Sequence, residues 1–495
     1  MNPVDIAVLV IYFLGISAAG VFFSRRNTST EAYFLGNRNF PAWAIGLSLV
    51  GTSISSISFL AYPGDAYKTA WIKLLPAFML PVAIIIASIW ILPFFRSRNY
   101  TSAFEYLGLR FGAGARVYGA IAFCIAQLMR IGFILFLVSL LIQEFTGWNV
   151  YLCVVIAGVF VSFYTIMGGF EAVVWTDVVQ TIVLILGGII CLLIVIKELP
   201  GGLSTIIDQA TEAGKFKLAE WDVENARPGE TSWAFSFSKK TALMMLVVGF
   251  INWMYEYSCN QNVIQRYCAS RSTADARKAM WICCISSIPI WTFFMFLGTA
   301  LWVYYTQFPT TESAQMLTGE LKSDQILPYF IMNKLPIGLA GLVVAAVMAA
   351  AMSSLDSSIN AISTVLITDI VKPHLAKDRD DTYYLKLAHR LAIGSSIIMI
   401  IGASIFIADK DSKTAQDTYN ILVALTAGGL LSLYFIGFLT TIGDGRSILI
   451  AIGFTFLFSL YRGLESLEIV PKLPIDGYHT GIVGNIIMFA FGLLF

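Results

Sequence analysis

Apolar stretches long enough to cross a lipid bilayer recur along this 495-residue chain, separated mostly by short polar connections. A hydrocarbon core of about 30 Å calls for roughly 20 apolar residues in a helix. Thirteen candidates lie near 5–23, 42–64, 69–95, 117–146, 149–168, 176–197, 242–262, 278–304, 337–363, 388–408, 418–440, 446–461 and 479–495. Backbone in lipid must satisfy its own hydrogen bonds, and single segments of this length do so as helices. The expectation is therefore an all-α integral membrane protein. Composition agrees, because 57% of residues are hydrophobic and 13% charged, with a mean hydropathy of +0.76. A water-soluble fold has nowhere to hide that much apolar surface.

The net charge of +1 carries no hint of nucleic acid. The positions of the charges say more. With the amino terminus outside, the inward loops collect Arg25, Arg26, Arg38, Arg96, Arg98, Arg110 and Arg116, then Arg266, Arg271, Arg277 and Lys278. They also collect Lys372, Lys377, Arg379, Lys386, Arg390 and Arg446. The positive-inside rule then predicts an outer amino terminus and, after thirteen crossings, a cytoplasmic carboxyl terminus. Met1 to Asp5 lack the basic start of a signal peptide, so the first segment is expected to be a retained span.

Catalytic equipment is not evident. Six of seven cysteines (Cys124, Cys153, Cys191, Cys259, Cys283, Cys284) fall in or beside the spans, Cys268 falls in an inward loop, and none suggests a disulfide framework. His374, His389 and His479 are isolated, and neither an HExxH nor a phosphate-cradling GxxxxGK[ST] pattern occurs. Direct ATP-driven pumping and membrane enzymology are both disfavoured.

The chain reads as one membrane domain over 1–495. Its longest polar stretch, 198–240, has room for a short helix covering an outer mouth. A leading helix (5–23), two sets of five spans (42–197 and 242–440) and two trailing helices (446–495) suit an inverted-repeat transporter whose repeats each begin with a broken helix.

Polar groups within the spans mark where such a transporter would work. Charges deep in lipid are costly and point to a permeation or coupling site, and here Arg130 and Asp177 lie in apolar segments. The second span clusters Gly51, Thr52, Ser53, Ser55, Ser56 and Ser58 ahead of Pro63 and Gly64. Carbonyls freed by a break there would suit a hard cation, while small hydroxyl residues equally permit close helix packing. The ninth span carries Ser353, Ser354, Asp356, Ser357 and Ser358, with hydroxyls one turn apart along a stripe. Packing has no use for the carboxylate; cation binding or a buried partner does.

Four stretches carry a family resemblance: YFLGNRNFPAW from Tyr33, YTIMGGFEAVVWTDVVQ from Tyr164, NQNVIQR from Asn260, and AAAMSSLDSSINAISTVLITDIVKP in the ninth span. Together they resemble the sodium:solute symporter family, in order and over nearly the whole chain. That resemblance implies the leucine-transporter-type fold, a 5+5 inverted repeat of about thirteen helices, and Na+ as coupling ion, one or two per cycle. It implies a first sodium site of the Gly51, Ile54 and Ala350 carbonyls with the Ser353 and Ser354 hydroxyls. Some relatives have a second site, which here falls on Asp177, Asp356 and Ser357. Asp356 departs from the uncharged residue usual in those relatives. Two nearby carboxylates repel unless a cation or proton intervenes, so a stronger second cation site, proton sensitivity and a basic partner are all open.

For the substrate, the resemblance to sialic acid and sugar carriers implies contacts from Ser53, Ser55 and Ser58, with Arg130 placed for a carboxylate. Lys73 is open as a second anion contact or an interfacial lysine. Asn252, Tyr255 and Glu256 in the seventh span suit hydroxyls or any polar solute. Arg130 itself has two readings, a bidentate substrate contact or an ion pair with Glu256. The Gly428–Gly429 pair in the eleventh span suits either a bending gate or close packing. The expected function is sodium-driven import of a small polar solute across the cell membrane, sialic acid or a related sugar acid first. A neutral sugar is the alternative within transporters, and a sodium-gated channel or transport-like sensor the alternative outside them. Partners are the solute, sodium and the lipid bilayer, with no oligomer required.

Overall fold

The computed structural model describes residues 2–25, 28–55, 57–98, 100–222, 227–408, 428–466 and 469–494. Among these, ten helices are long and apolar enough to cross a membrane, or eleven if a bent pair counts as one span. The expected all-α membrane architecture is present.

The leading helix α1 spans Pro3–Ser24, with Asn2 capping its first turn. The second span is broken. Helix α2 (Ala42–Ser53) ends where Ile54 turns extended, at φ −103° and ψ 97°. After a wide turn at Ile57–Ala61, α3 (Tyr62–Lys68) continues, the two parts meeting at 60°. Then come α4 (Trp71–Ser97) and α5 (Ala113–Thr146), closed by Gly147 in the left-handed region.

Helix α6 runs from Val150 to Glu198, 49 residues, with a non-helical Gly169 at φ 59° and ψ −163°. At 1.5 Å per residue it is about 73 Å long, enough for two crossings of a core of about 30 Å. Only glycine takes that φ without strain. At this bend α1 presses close: a Cβ on Gly20 would lie 2.9 Å from the Cβ of Tyr164.

The 198–240 connection folds as anticipated into a short helix, α7 (Gly202–Glu212). It continues into a two-residue antiparallel pair, Trp221–Asp222 with Arg227–Pro228. Helices α8 (Ala242–Cys259) and α9 (Gln261–Ala269) follow, separated by an extended Asn260 at φ −80° and ψ 118°. Next are α10 (Thr273–Gln307), α11 (Leu339–Val365), prolonged by a wide helical turn to Leu375, and α12 (Asp381–Ala408). The described part ends with α13 (Leu430–Leu439), α14 (Gly445–Ser466) and α15 (Thr480–Leu494). Residues 418–427 of the expected eleventh span lie outside the described residues. Of its glycine pair, Gly429 adopts φ 86°, and a Cβ on Gly484 would come within 3.2 Å of the Gly428 Cα. This is the close-packing geometry.

Burial ranks the helices. In its most apolar window α11 is 83% buried and α1 only 11%, so α11 is the central element and α1 a peripheral one. Its alanines and serines allow neighbours to approach, which matters because helices in lipid gain little from hydrophobic burial and associate through packing and polar contacts. Asp5 fastens α1 to the start of α11, its Oδ1 accepting from the Gly338 and Gly341 N–H groups at 2.7 and 2.9 Å.

One charge is misplaced by the loop reading. Arg266, counted among the inward loops, lies within α9 and is 1% exposed. Cys268, assigned to the same loop, is buried in the same helix. Helix α9 escapes a hydropathy reading because its polar Gln261, Asn262, Gln265 and Arg266 are all buried.

Candidate functional site

Where α2 stops at Ser53, its last carbonyls lose the partners a continuing helix would supply. The Ile54 N–H still reaches Val50 O at 2.8 Å. Thr52 O then receives Nη2 of Arg130 at 3.1 Å and Ser354 Oγ at 3.5 Å. Broken span, α5 and α11 thus converge on one carbonyl.

Gly51 lies where α2, α6 and α11 are tightest. A Cβ there would meet Ser353 Oγ and Thr181 Oγ1, both at 2.8 Å. Ala350, Ser353 and Ser354 are buried on the facing turn of α11. Of the five residues expected at the first sodium site, Gly51 lies in α2, Ile54 just past its end, and Ala350, Ser353 and Ser354 on the α11 stretch, with Gly51 in direct reach of Ser353.

Arg266 stands among the residues of the second set. Asp177 Oδ1 accepts from Ser353 Oγ at 2.5 Å, and its Oδ2 accepts from Ser48 Oγ at 2.5 Å and Arg266 Nη2 at 2.8 Å. Arg266 Nη2 also reaches Ser357 Oγ at 2.8 Å, Nε reaches Ser48 Oγ at 2.9 Å, and Nη1 reaches Asn262 O at 2.8 Å. The guanidinium lies 5.7 Å from the Phe170 ring centre. Asp177 thus has a fixed organic cation as partner, bound with the geometry a buried ion pair requires. Asp356 adjoins the same group: Tyr164 OH donates to its Oδ2 at 3.1 Å, the Ser357 N–H to its Oδ1 at 2.6 Å, and the Ser357 hydroxyl that Arg266 binds lies 3.4 Å from that Oδ1. Asp177, Ser353, Ser357 and Asp356 are thus brought together around Arg266, which arrives from a helix that reads as a loop in the sequence.

Around the break, Ser55 and Ser58 are buried at 5% exposure each, and Ser53 is partly buried within reach of Cys283. Arg130 Nε is buried without a hydrogen-bond partner. Glu256 Oε2 accepts from Asn260 Nδ2 at 2.7 Å, and among the described residues no ion pair joins it to Arg130. Asn252 is exposed and Tyr255 buried on the same helix. Lys73 is paired: its Nζ sits 2.7 Å from Asp65 Oδ1, with both side chains largely buried.

Sequence reasoning missed Arg266, Ser48, Thr181, Tyr164 and Gln127, whose Oε1 accepts from Ser358 Oγ at 2.9 Å. The one available signal was the density of amides around Arg266 in NQNVIQR, unusual for a surface loop.

The model of the sodium:solute symporter family matches residues 33–442. The chain belongs to that family. It is a multi-pass membrane transporter rather than an enzyme, and sodium is its coupling ion. The chain is similar to the sodium/sialic acid symporter SiaT of Proteus mirabilis, 31% identical over 91% of this chain and 87% of that one. It is also similar to the sodium/sialic acid symporter NanT of Aliivibrio fischeri, 30% identical over 90% and 84%. A solved structure of a Na+-coupled sialic acid symporter in a substrate-bound outward-open state superposes with a TM-score of 0.88 at 26% identity, covering 100% of this chain and 97% of that chain. Mhp1, a nucleobase-cation-symport-1 family transporter, shares the fold at a TM-score of 0.54 and 13% identity, over 93% of this chain and 92% of its own.

Proposed function

We propose that this symporter imports a small organic anion, with sialic acid or a related sugar acid as the first candidate. The observation that carries the reading is the condition of Arg130. Its guanidinium stands at the break of the second span, holds one carbonyl, keeps Nε unpartnered and has no carboxylate in an ion pair among the described residues. A permanently charged planar fork in that condition favours a bidentate oxyanion. The neutral-sugar alternative needs Arg130 spent in an ion pair with Glu256, and among the described residues no such ion pair is formed. The names of the two 30% relatives point the same way. Ser53, Ser55 and Ser58 from the break, with Asn252, Tyr255 and Glu256 from α8, would serve the hydroxyls. Lys73, neutralised by Asp65, is left out.

The first sodium site is assigned to the Gly51, Ile54 and Ala350 carbonyls and the Ser353 and Ser354 hydroxyls. The residues fit, because Gly51 leaves a cradle that a Cβ would fill and Ser353, as a donor to Asp177, keeps its oxygen lone pairs free. A bound sodium supplies there a charge that ties broken span to central helix. The chain's own part is to pack α2 against α11 so that those oxygens face one another, and to present Arg130 from α5 beside the same break. Coupling follows when ion and solute favour the same arrangement of α2, α5 and α11. Thirteen crossings in a 5+5 inverted repeat (42–197 and 242–440), one leading and two trailing helices, an outer amino terminus and a cytoplasmic carboxyl terminus complete the reading.

The test is sodium-gradient-driven uptake in proteoliposomes of sialic acid, glucose, galactose, proline and a small monocarboxylate, with Arg130→Ala in parallel. Sialic acid uptake that falls at least about a hundredfold in the variant, the size expected for a lost charged contact of about 3 kcal/mol, supports it. Neutral-sugar uptake that survives Arg130→Ala refutes it.

A further inference from the structure

We infer that the leading helix α1 is a brace that fixes the central helix α11 against α6, with Asp5 as its positioning residue, and so sets the geometry of the sodium cradle at Gly51. Exposure and polarity are mismatched in this helix. In its most apolar window α1 is only 11% buried, yet Asp5 in its first turn is 4% exposed. The buried residues of α1 are Asp5, Ile16 and Gly20, eleven and four positions apart, which places them within about 60° of one another around the helix. One narrow face is therefore turned inward and the rest is left to lipid. A helix that served only to span the membrane has no use for a carboxyl group on that face.

At one end of that face Asp5 caps α11. The central helix begins after Gly338, at φ 88°, and a glycine brings no side chain to hold the free N–H groups of a first turn. Asp5 does so from 333 positions away, its Oδ1 accepting from the Gly338 and Gly341 N–H groups at 2.7 and 2.9 Å. The two backbones touch there, since a Cβ on Gly341 would lie 2.6 Å from both the Cα and the O of Asp5. At the other end α1 meets α6. A Cβ on Gly20 would lie 2.9 Å from the Tyr164 Cβ and 3.1 Å from the Tyr164 O, and one on Gly168 would lie 3.2 Å from the Gly20 Cα. Small residues let helices in lipid approach this closely, and contacts packed this tightly transmit displacement.

Asp5 and Gly20 are about 22 Å apart along α1, so a single rod fixes the start of α11 relative to the α6 bend at Gly169. Both helices then converge on Gly51. A Cβ there would meet Ser353 Oγ of α11 and Thr181 Oγ1 of α6, each at 2.8 Å, and Asp177 O of α6 at 3.4 Å. Ser353 lies twelve residues beyond Gly341, about 18 Å along the helix, so Asp5 touches no ion and acts through the position of α11. Binding groups have to be held to about 0.5 Å, against a helical rise of about 1.5 Å per residue. A slip of α11 by a fraction of one residue is enough to spoil the cradle. The inference rests on the first sodium site assigned above and is independent of the solute carried.

Equilibrium binding of radioactive sodium to the purified, detergent-solubilised full chain, with no solute present and with Tm measured alongside, tests it. Asp5→Ala is expected to raise the half-saturating sodium concentration at least about tenfold, the scale of one lost helix cap. Asp5→Asn, whose side-chain oxygen still accepts from both N–H groups, is expected to stay within about threefold of wild type. Gly20→Val, a wedge at the opposite end of the brace, is expected to behave as Asp5→Ala does. A merely structural role lowers Tm and the folded fraction without moving the half-saturating concentration of the protein that remains folded. An unmoved value in both Asp5→Ala and Gly20→Val therefore overturns the proposal. Ser354→Ala, aimed at the Gly51 site, keeps the two assignments apart. Unchanged sodium binding in Ser354→Ala refutes the first-site assignment, whereas weakened binding there beside wild-type binding in Asp5→Ala and Gly20→Val refutes the brace alone. If Asp5→Ala does not fold, Gly341→Ala, whose methyl group forces α1 and α11 apart, carries the test with Gly20→Val.

Discussion

At the scale of single residues, backbone proximity decides more than side-chain charge. Gly51 has no room for a methyl group, with hydroxyl oxygens 2.8 Å from where it would sit. Gly51→Ala is expected to cost about 1–3 kcal/mol through overpacking and to raise the half-saturating sodium concentration at least about tenfold. Uptake measured as a function of sodium checks this, and an unchanged sodium curve counts against placing a coupling ion there. Arg266 teaches the complementary lesson. Arginine is always charged, so its pairing with Asp177 at 2.8 Å is a permanent part of the interior. A local reading of NQNVIQR sees five polar residues between apolar spans and infers solvent. Only partners 89 and 91 positions away, Asp177 and Ser357, make them interior.

At the scale of elements, the second half of the broken span, α3, is anchored by the 198–240 connection. Lys215 is fully buried and donates to the carbonyls of Tyr67 and Thr69, both at 2.8 Å. Its Nζ also lies 5.0 Å from the Trp221 ring centre and 5.1 Å from that of Trp302. Trp71 N–H adds a bond to Lys217 O at 3.0 Å. Burial pushes the Lys215 ammonium down to about 7. A lysine whose folded value lies below its unfolded value of about 10.4 binds fewer protons docked than free across that interval. Docking therefore strengthens as pH rises from about 7 towards about 10. Amide hydrogen exchange over residues 202–222, corrected for intrinsic pH dependence, should show rising protection across that window in the wild type and a flat profile in Lys215→Met. Falling protection in the wild type would contradict the assignment. The short helix here was legible in the sequence, whereas its grip on α3 was not, because nothing local to Lys215 indicates two carbonyls near residue 68.

At the scale of the whole molecule, the number of coupling ions fixes the work available. One sodium entering down about 100 mV gains roughly 2.3 kcal/mol, and a tenfold gradient adds about 1.4. A monoanion returns about 2.3 on entering against the same potential. One sodium with one anion is thus electrically silent and supports accumulation of only about tenfold, while two leave roughly 5 kcal/mol, on the order of a thousandfold. If two sodium ions accompany each anion, substrate addition to vesicles in sodium should draw an inward positive current, read on a supported membrane. Transport without current would rule out a second sodium per anion.

The sequence by itself determined the membrane class, the helical architecture, the broken second span and the serine stripe of the central helix. These follow from hydropathy over roughly 20 residues and from small residues at one-turn spacing, which are local properties of the chain. It also singled out Arg130, Asp177 and Asp356, since a charge in an apolar segment is visible without knowing its neighbours. Tertiary structure alone decided how those charges pair. Asp177 meets Arg266, Lys73 meets Asp65, Arg130 is left open at a carbonyl, and Asp356 takes the Tyr164 hydroxyl of α6. The reason is physical: a buried charge is defined by whichever group lies within about 4 Å of it, and in a bundle of long helices that group comes from a distant part of the chain.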